Sequence, residues 1–350
     1  TAEDGTDLGM HLAQLFQLLN TPVEKRQRTL DEQLAAFPYV DGELFAESLP
    51  IAAFNRRMRE TLLHCAELDW SRISPAIFGS LFQSIMDSDA RRNLGAHYTS
   101  EKNILKLLEP LFLDELRAEF KSIKNTPKKL PAFHEKLARI RVLDPACGCG
   151  NFLVIAYREL RRLELKVLRE LYADQSEVDI GLLVKLDVDR FYGIELEEFP
   201  SQIARVALWL TDHQMNMEVS KAFGQYFTRL PLASTPHIHQ ANALEVDWRD
   251  LVAPADLAYI VGNPPFGGAR FMDEARRAEV NRVFHDLHGS GVLDYVTCWY
   301  RKAVEYMAEN PAIRAAFVST NSITQGEQVG VLWPDLLRRG LKIHFAHRTF

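Results

Sequence analysis

Cysteine is scarce: Cys65, Cys147, Cys149 and Cys298 are the four in 350 residues, too few for a disulfide framework. Only Cys147 and Cys149 lie close together, and a structural zinc site wants about four nitrogen or sulfur ligands at set spacings. No metal is therefore expected, and the thiols read as reduced and unliganded. No apolar run reaches the roughly 18 residues of a membrane helix, and residues 1–20 show no basic-then-apolar leader pattern. The expected setting is cytoplasmic, away from any membrane. Excess basic charge is missing too, because 41 Lys and Arg against 47 Asp and Glu give a net charge of −6. That excludes a chain that grips nucleic acid over its whole face and confines any DNA contact to a local surface.

What is present is an ordinary globular composition, 47% hydrophobic and 25% charged, in a length suited to two domains. Residues 1–90 read as an all-α domain. Leu12, Leu15, Phe16 and Leu19 recur at helical spacing, and Ser74-Pro75 opens a further helix. The break falls at Asp87-Ser88-Asp89, before a loop from Arg91 to Ser100. Ser100 then caps a helix carrying Leu105, Leu108 and Leu111, and Lys124–Pro131 reads as a connector. From Ile140 onward, Arg141–Asp144, Arg190–Glu195, His237–Ala241, Ala258–Gly262, Ile313–Ser319 and Leu341–Ala346 are strand candidates alternating with helical stretches. That rhythm predicts a mostly parallel α/β sheet over residues 91–350. In such sheets ligands bind beyond the carboxyl ends of the strands, so function is sought there. The pairs Arg56-Arg57, Arg161-Arg162, Arg276-Arg277 and Arg338-Arg339 read as solvated helix faces. Arg270, Arg276, Arg277 and Arg282 lie after the fourth strand candidate and could equally meet phosphates. His237 and His239 share a strand face and, with no third ligand, read as packing or edge residues.

Val142-Leu143-Asp144-Pro145-Ala146-Cys147-Gly148-Cys149-Gly150-Asn151-Phe152 is a strand, a two-glycine turn and a helix. The glycines let backbone turn sharply against a ligand, and Asp144 places a carboxylate near it, which favours a small cation. The third glycine of a dinucleotide fingerprint and the Gly-Lys-Ser/Thr ending of a phosphate loop are both missing. The next strand ends at Glu195-Leu196, where nucleoside-binding α/β folds put an acid that accepts from ribose hydroxyls. A third ends at Asn242-Ala243, where the carboxamide serves either as a turn former or as a partner for an adenine edge.

Gly262-Asn263-Pro264-Pro265-Phe266-Gly267-Gly268 is the most specific segment. Tandem prolines fix the backbone so that the Asn263 carboxamide and the Pro264 carbonyl can converge on one amino group. An aromatic amine is a poor nucleophile because its lone pair is delocalised. Two acceptors on its N–H bonds favour a pyramidal nitrogen able to attack a sulfonium methyl in line. Phe266 supplies a face for an extruded base, so duplex substrate implies base flipping.

With these residues in view the chain resembles the amino-methylating, N6-adenine gamma-type DNA methyltransferases, in which a Thr segment precedes the Asp-Pro-x-x-Gly-x-Gly turn. Here that segment is Gly95-Ala96-His97-Tyr98-Thr99-Ser100, with Ser100 where the family usually has proline, Asn242 where it commonly has Asp, and Cys149 where many relatives have Ser. The resemblance implies a class I S-adenosylmethionine-dependent methyltransferase fold, Rossmann-like, preceded by an all-α domain. It implies that Tyr98 and Thr99 close over the methionine end of S-adenosylmethionine. The turn Asp144, Pro145, Ala146, Cys147, Gly148, Gly150, Asn151 and Phe152 then cradles the cofactor, Glu195 with Leu196 holds the ribose, and Asn242 with Ala243 meets its adenine. Asn263, Pro264, Pro265 and Phe266 hold the target adenine of double-stranded DNA, and Asp294-Tyr295, at the start of a helix Val292–Ala308, lies near the cofactor. The all-α start, the run Leu94–Thr99, Gly262–Gly268 and the ending Phe345-Ala346-His347-Arg348-Thr349-Phe350 together resemble the MmeI-like bifunctional type II restriction-modification enzymes. That likeness implies nuclease and target-recognition domains elsewhere in the polypeptide, and a last strand beyond Phe350. Cytosine amino groups, ribosomal RNA guanines and a glutamine side-chain amide are alternative substrates of the same chemistry. An inactive DNA-binding module is the alternative of another class.

Overall fold

The structure, a computed structural model, describes residues 1–37, 39–40, 45, 50–70, 73–75, 77, 79, 99–172, 183–224 and 235–347. Two compact units emerge, Thr1–Ile73 and a larger one of Ser74–Phe227 with Pro236–Phe350. The expected break at Asp87-Ser88-Asp89, Tyr98 and most of its loop, and Arg348–Phe350 lie outside the described residues.

The smaller unit carries α1 (Leu8–Leu19), α2 (Glu32–Ala35) and α3 (Arg56–Glu67). Its buried helix face differs from the stripe read in the sequence: α1 buries Leu8, Gly9 and Leu18, while Phe16 stays 42% exposed. Gly9 explains the choice. A Cβ there would lie 1.9 Å from the Ala52 carbonyl oxygen, so the helix turns its glycine side toward the closest stretch of chain. At α3 the Asn55 carboxamide oxygen accepts from the Met58 N–H at 3.0 Å, an N-cap that starts the helix.

In the larger unit α4 (Glu101–Leu108), α5 (Asp114–Ile123) and α6 (Leu130–Ala138) precede the sheet. Ser100 occupies the cap position through its carbonyl, which accepts from Asn103 and Ile104, and not through its hydroxyl. Of the expected stripe Leu108 and Leu111 are buried, joined by Ile104 and Leu107, while Leu105 is half-buried; a π-helical turn, Glu109–Leu113, follows with Leu111, Phe112 and Leu113 buried. The connector is also shorter than expected, since Leu130 and Pro131 already form the first turn of α6, where a missing N–H costs nothing.

The order from there is β1 (Val142–Asp144), α7 (Asn151–Tyr172), β2 (Phe191–Glu195), α8 (Glu198–Phe223), β3 (His237–Gln240), β4 (Tyr259–Gly262), α9 (Glu274–Val283), α10 (Thr297–Met307), β5 (Arg314–Phe317) and α11 (Gln328–Arg338). The five strands pair in parallel as β3-β2-β1-β4-β5. This is the α/β class expected, with strand order reversing between β1 and β4. Right-handed crossovers then place the helices that follow on opposite faces, and a crevice opens at the reversal. The sixth strand candidate, Leu341–Ala346, is not a strand: it runs irregular and largely exposed and joins no ladder among the described residues. The expected helix Val292–Ala308 begins later, at Thr297, so Asp294 and Tyr295 sit in the turn before α10.

Leu143, Ile194, Ile260 and Trp248 share an apolar core with Cys298, Trp299, Leu332 and Leu336. On the α7 and α8 side, Arg161 is buried, against the solvated-face reading. Its guanidinium donates to Asp212 at 2.7 Å and to Asn216 at 2.8 Å. A charged partner on α8 is what makes burial tolerable. His237 and His239 lie on the exposed side of β3, where the His237 ring stacks on Tyr192 at 4.7 Å.

Candidate active site

Three strand tips meet at the crevice. At the tip of β1, Asp144 accepts from the Ala146 N–H at 3.0 Å, which closes the turn. Gly148 takes φ +54, a conformation that glycine adopts without penalty, and an added Cβ would find no atom within 4 Å. Its N–H donates to the Glu195 carboxylate at 2.9 Å, and Glu195 also accepts from the Glu197 N–H at 3.0 Å. Cys147 donates its N–H to the Ile194 carbonyl at 3.0 Å, so the tips of β1 and β2 are tied twice. Trp299 adds a third anchor by donating its indole N–H to the Pro145 carbonyl at 3.0 Å.

The tip of β4 is fitted to that of β1. A Cβ on Gly262 would fall 2.6 Å from an Asp144 carboxylate oxygen, so the residue before Asn263 must be glycine for the two strands to lie together. Asn263 donates its carboxamide N–H to the Thr99 hydroxyl at 2.9 Å, across 164 residues of sequence. Beyond Phe266 the loop is held by the Tyr295 N–H, which donates to the Gly267 carbonyl at 2.8 Å, and by Asp294, which accepts from the Ala269 N–H at 3.0 Å.

Between these tips lies a cavity of about 390 Å³. Of the residues singled out in the sequence, it brings together Thr99, Pro145, Ala146, Cys147, Gly148, Asn151, Phe152, Glu195, Leu196, Asn242, Ala243, Asn263, Pro265, Arg276 and Tyr295. Asp144, Gly150, Pro264 and Phe266 do not line it. Asp144 and Pro264 are buried behind the wall, and Phe266 is half-buried on the loop. Asn242 lines the cavity, but its oxygen accepts from the Leu244 N–H at 2.9 Å and its amide donates to Glu279, so the turn-forming role is present. Glu279 also accepts from the Tyr295 hydroxyl.

Trp299, Glu279, Cys149 and Glu197 reach the cavity without having been assigned to it from sequence. Glu279 carries no signal, because its spacing to Arg276 and Arg282 reads as a solvated charged helix. Trp299 had one: it lies four residues after Tyr295 and meets that ring edge-on at 5.3 Å. Of the four arginines near the loop, Arg277 donates to the Ala269 carbonyl at 2.7 Å, Arg282 pairs with Glu245 at 3.2 Å, and Arg276 lies over the Tyr295 ring at 5.3 Å.

Burial dominates the electrostatics. It pushes the Asp144 carboxyl up to about 8, with the Glu195 charge adding in the same direction and the Ala146 N–H opposing. Glu195 is likewise raised by burial, against the N–H groups it accepts from. Burial raises the Cys149 thiol to about 12 and pushes Cys147 well above the usual thiol range, so both stay neutral and neither serves as a nucleophile near pH 7. Burial raises both carboxyls, and a cation beside Glu195 would favour its charged form. The site therefore suits a positively charged ligand held by one wall, with an amide acceptor on the other.

Residues 120–350 match the family model of the MmeI DNA-methyltransferase domain, and residues 1–45 that of the MmeI helicase spacer domain. The chain is 38% identical over 357 residues to DNA methyltransferase A of Bacillus subtilis (strain 168), covering 100% of this chain and 40% of that protein. A putative type II restriction enzyme and methyltransferase of Methanocaldococcus jannaschii is 25% identical over 245 residues, 56% of this chain and 20% of that protein. Among solved structures, the type IIL restriction-modification enzyme MmeI in complex with DNA superposes with a TM-score of 0.94 at 61% identity, covering 100% of this chain and 47% of that one. The chain thus spans less than half the length of these relatives. A match over residues 120–350, two strand tips laced around a cation-suited cavity and an Asn-Pro-Pro-Phe loop on its rim agree: the chain belongs to the MmeI DNA-methyltransferase domain family.

Proposed function

We propose that residues 1–350 carry the catalytic part of a DNA methyltransferase that moves a methyl group from S-adenosylmethionine to the N6 amino group of an adenine flipped out of duplex DNA. The observation that carries this reading is the shared cavity, lined both by Gly148 and Glu195 from the β1 and β2 tips and by Asn263 and Pro265 from the loop after β4. The residues present fit a sulfonium nucleoside. Glu195 is a buried acid at the end of β2, space is open beside Gly148, and the Asn151 carboxamide oxygen is buried without a hydrogen-bond partner among the described residues. When bound, that donor supplies an activated methyl.

The protein's own part is positioning. Thr99 takes one amide N–H of Asn263, which turns the carboxamide oxygen away as an acceptor for the target amine. The second acceptor is assigned to the Pro264 carbonyl, next in the chain to Asn263 on a loop with little freedom, although Pro264 itself does not line the cavity in this structure. Neutral thiols and raised carboxyls leave no competing nucleophile. The 1–90 segment is assigned as a helical spacer and 91–350 as the methyltransferase domain. Sequence recognition and cleavage are assigned to other parts of a longer restriction-modification polypeptide, which acts in the cytoplasm. No helix among the described residues is long and apolar enough to cross a membrane, in keeping with that setting.

The test is to incubate the full-length protein with methyl-labelled S-adenosylmethionine and DNA, then digest to nucleosides. Label in N6-methyladenine is expected. Label in methylcytosine, or none in DNA, overturns the reading.

A further inference from the structure

Phe271 is the outlier of the surface. It is 90% exposed, while no other large hydrophobic side chain among the described residues exceeds 66%. Its setting is not a loose loop. The Gly267 carbonyl accepts from the Tyr295 N–H at 2.8 Å, the Ala269 N–H donates to Asp294 at 3.0 Å, and the Ala269 carbonyl accepts from Arg277 at 2.7 Å. Phe271 itself donates its N–H to the Gly268 carbonyl at 2.8 Å, Met272 is buried, and Asp273 accepts from the Arg276 N–H to cap α9. Asp294 is fixed in turn by Gln328, whose amide donates to it at 2.8 Å. The backbone on either side is held at Gly267, Ala269 and Asp273, yet the ring is presented to solvent.

An aromatic ring left in water on an ordered backbone contributes little to folding and is free to meet a bound partner. The occupant follows from place. Phe271 lies five residues after Phe266 on the loop that carries Asn263, and its ring borders Gly268, with the exposed Arg270 beside it. Asn263 is part-buried at the cavity, so a base must leave its stack to reach it, and the vacated step is a flat apolar slot. A planar apolar side chain next to a cation for phosphate is the chemistry that fills such a slot. We propose that Phe271 enters the DNA base stack when the target base leaves it, lowering the cost of flipping. The inference rests on the assignment of duplex DNA as substrate.

The experiment compares wild type and Phe271→Ala in the full-length protein on two duplexes, one fully paired and one with an abasic position opposite the target adenine. Wild-type labelling of adenine in both establishes the substrate, so failure there concerns the assignment and not Phe271. Given that labelling, the variant is expected to lose about 10-fold in rate on the paired duplex, as loss of one base–aromatic stack implies. It should match wild type within about 2-fold on the abasic one, where unpairing costs little. Phe271→Trp should retain activity on both. Equal loss on both duplexes, as when the ring packs against another part of the polypeptide, overturns the proposal, and so does no loss on either.

Discussion

The two walls of the cavity are built by different means. At the β1–β2 wall the contacts run between residues that sequence motifs already group: Asp144 to Ala146, Gly148 to Glu195, Cys147 to Ile194, each at the end of one of two paired strands. At the β4 wall the loop from Asn263 to Ala269 is held by Thr99, Tyr295, Asp294 and Arg277, which come from before the sheet and from beyond the loop. The first wall joins two adjacent strand tips, with Trp299 bracing Pro145, and in the proposed reading binds the donor; the second is a loop held by chain outside the sheet and in the same reading acts on the reacting amine. Changes in the first should move affinity for the donor, and changes in the second should move the rate of transfer.

Asn263→Ala should give the largest effect. Removing a preorganised partner of a transition state typically costs about 10²- to 10³-fold in kcat. Donor affinity, read by equilibrium binding, should change little because the Gly148–Glu195 wall is untouched. Glu195→Ala should show the opposite pattern. It deletes the carboxylate that holds the Gly148 and Glu197 N–H groups and, in the proposed role, the ribose. Losing charge-assisted bonds of this kind implies roughly 10- to 100-fold weaker donor binding. Comparable losses of affinity in both variants would erase the distinction between the walls.

Thr99→Val sharpens the comparison within one wall. The resemblance places Thr99 at the cofactor, while the structure bonds it to Asn263. Loss of a single uncharged hydrogen bond that orients a carboxamide predicts about a 10-fold fall in kcat. Thr99→Ser, which keeps the hydroxyl, should restore most of it. If donor affinity falls instead and kcat holds, Thr99 serves the cofactor alone.

The same division explains what could be read in advance. The strands from β1 to β5 lie within about two residues of their sequence positions, because apolar runs ended by Asp144, Glu195 and Gly262 carry a local signal. The sixth candidate failed for a nonlocal reason: an extended apolar run becomes a strand only by pairing, and Leu341–Ala346 joins no ladder among the described residues. Arg161 misled in the same way, since its partners Asp212 and Asn216 lie some fifty residues away on another helix. At the site, the glycine turn and the Asn-Pro-Pro-Phe loop were legible, whereas Glu279, Trp299 and the Thr99–Asn263 bond became visible only once the chain was folded. Motif order also placed Asp144 at the ligand, where the structure tucks it behind the wall against Gly262.

That displacement of Asp144 makes the smallest prediction the most specific. Its carboxyl is raised by burial to about 8 in the folded protein, against about 4 for an unfolded Asp. Folding therefore takes up a proton across that interval, and stability tied to the group is full below about pH 4 and is lost as pH rises toward 8. Asp144→Asn keeps the shape and an oxygen for the Ala146 N–H but cannot ionise, so its loss of stability between pH 5 and 8 should be shallower. Glu195 is raised too, which leaves a residual slope. Melting temperatures of the two proteins should draw apart by roughly 2–4 °C per kcal/mol of removed penalty, with the variant relatively more stable at pH 8 than at pH 5. Parallel curves would mean that Asp144 is ionised in the fold, and that it meets a cation from the first wall directly, in place of bracing the β1 tip against the β4 tip.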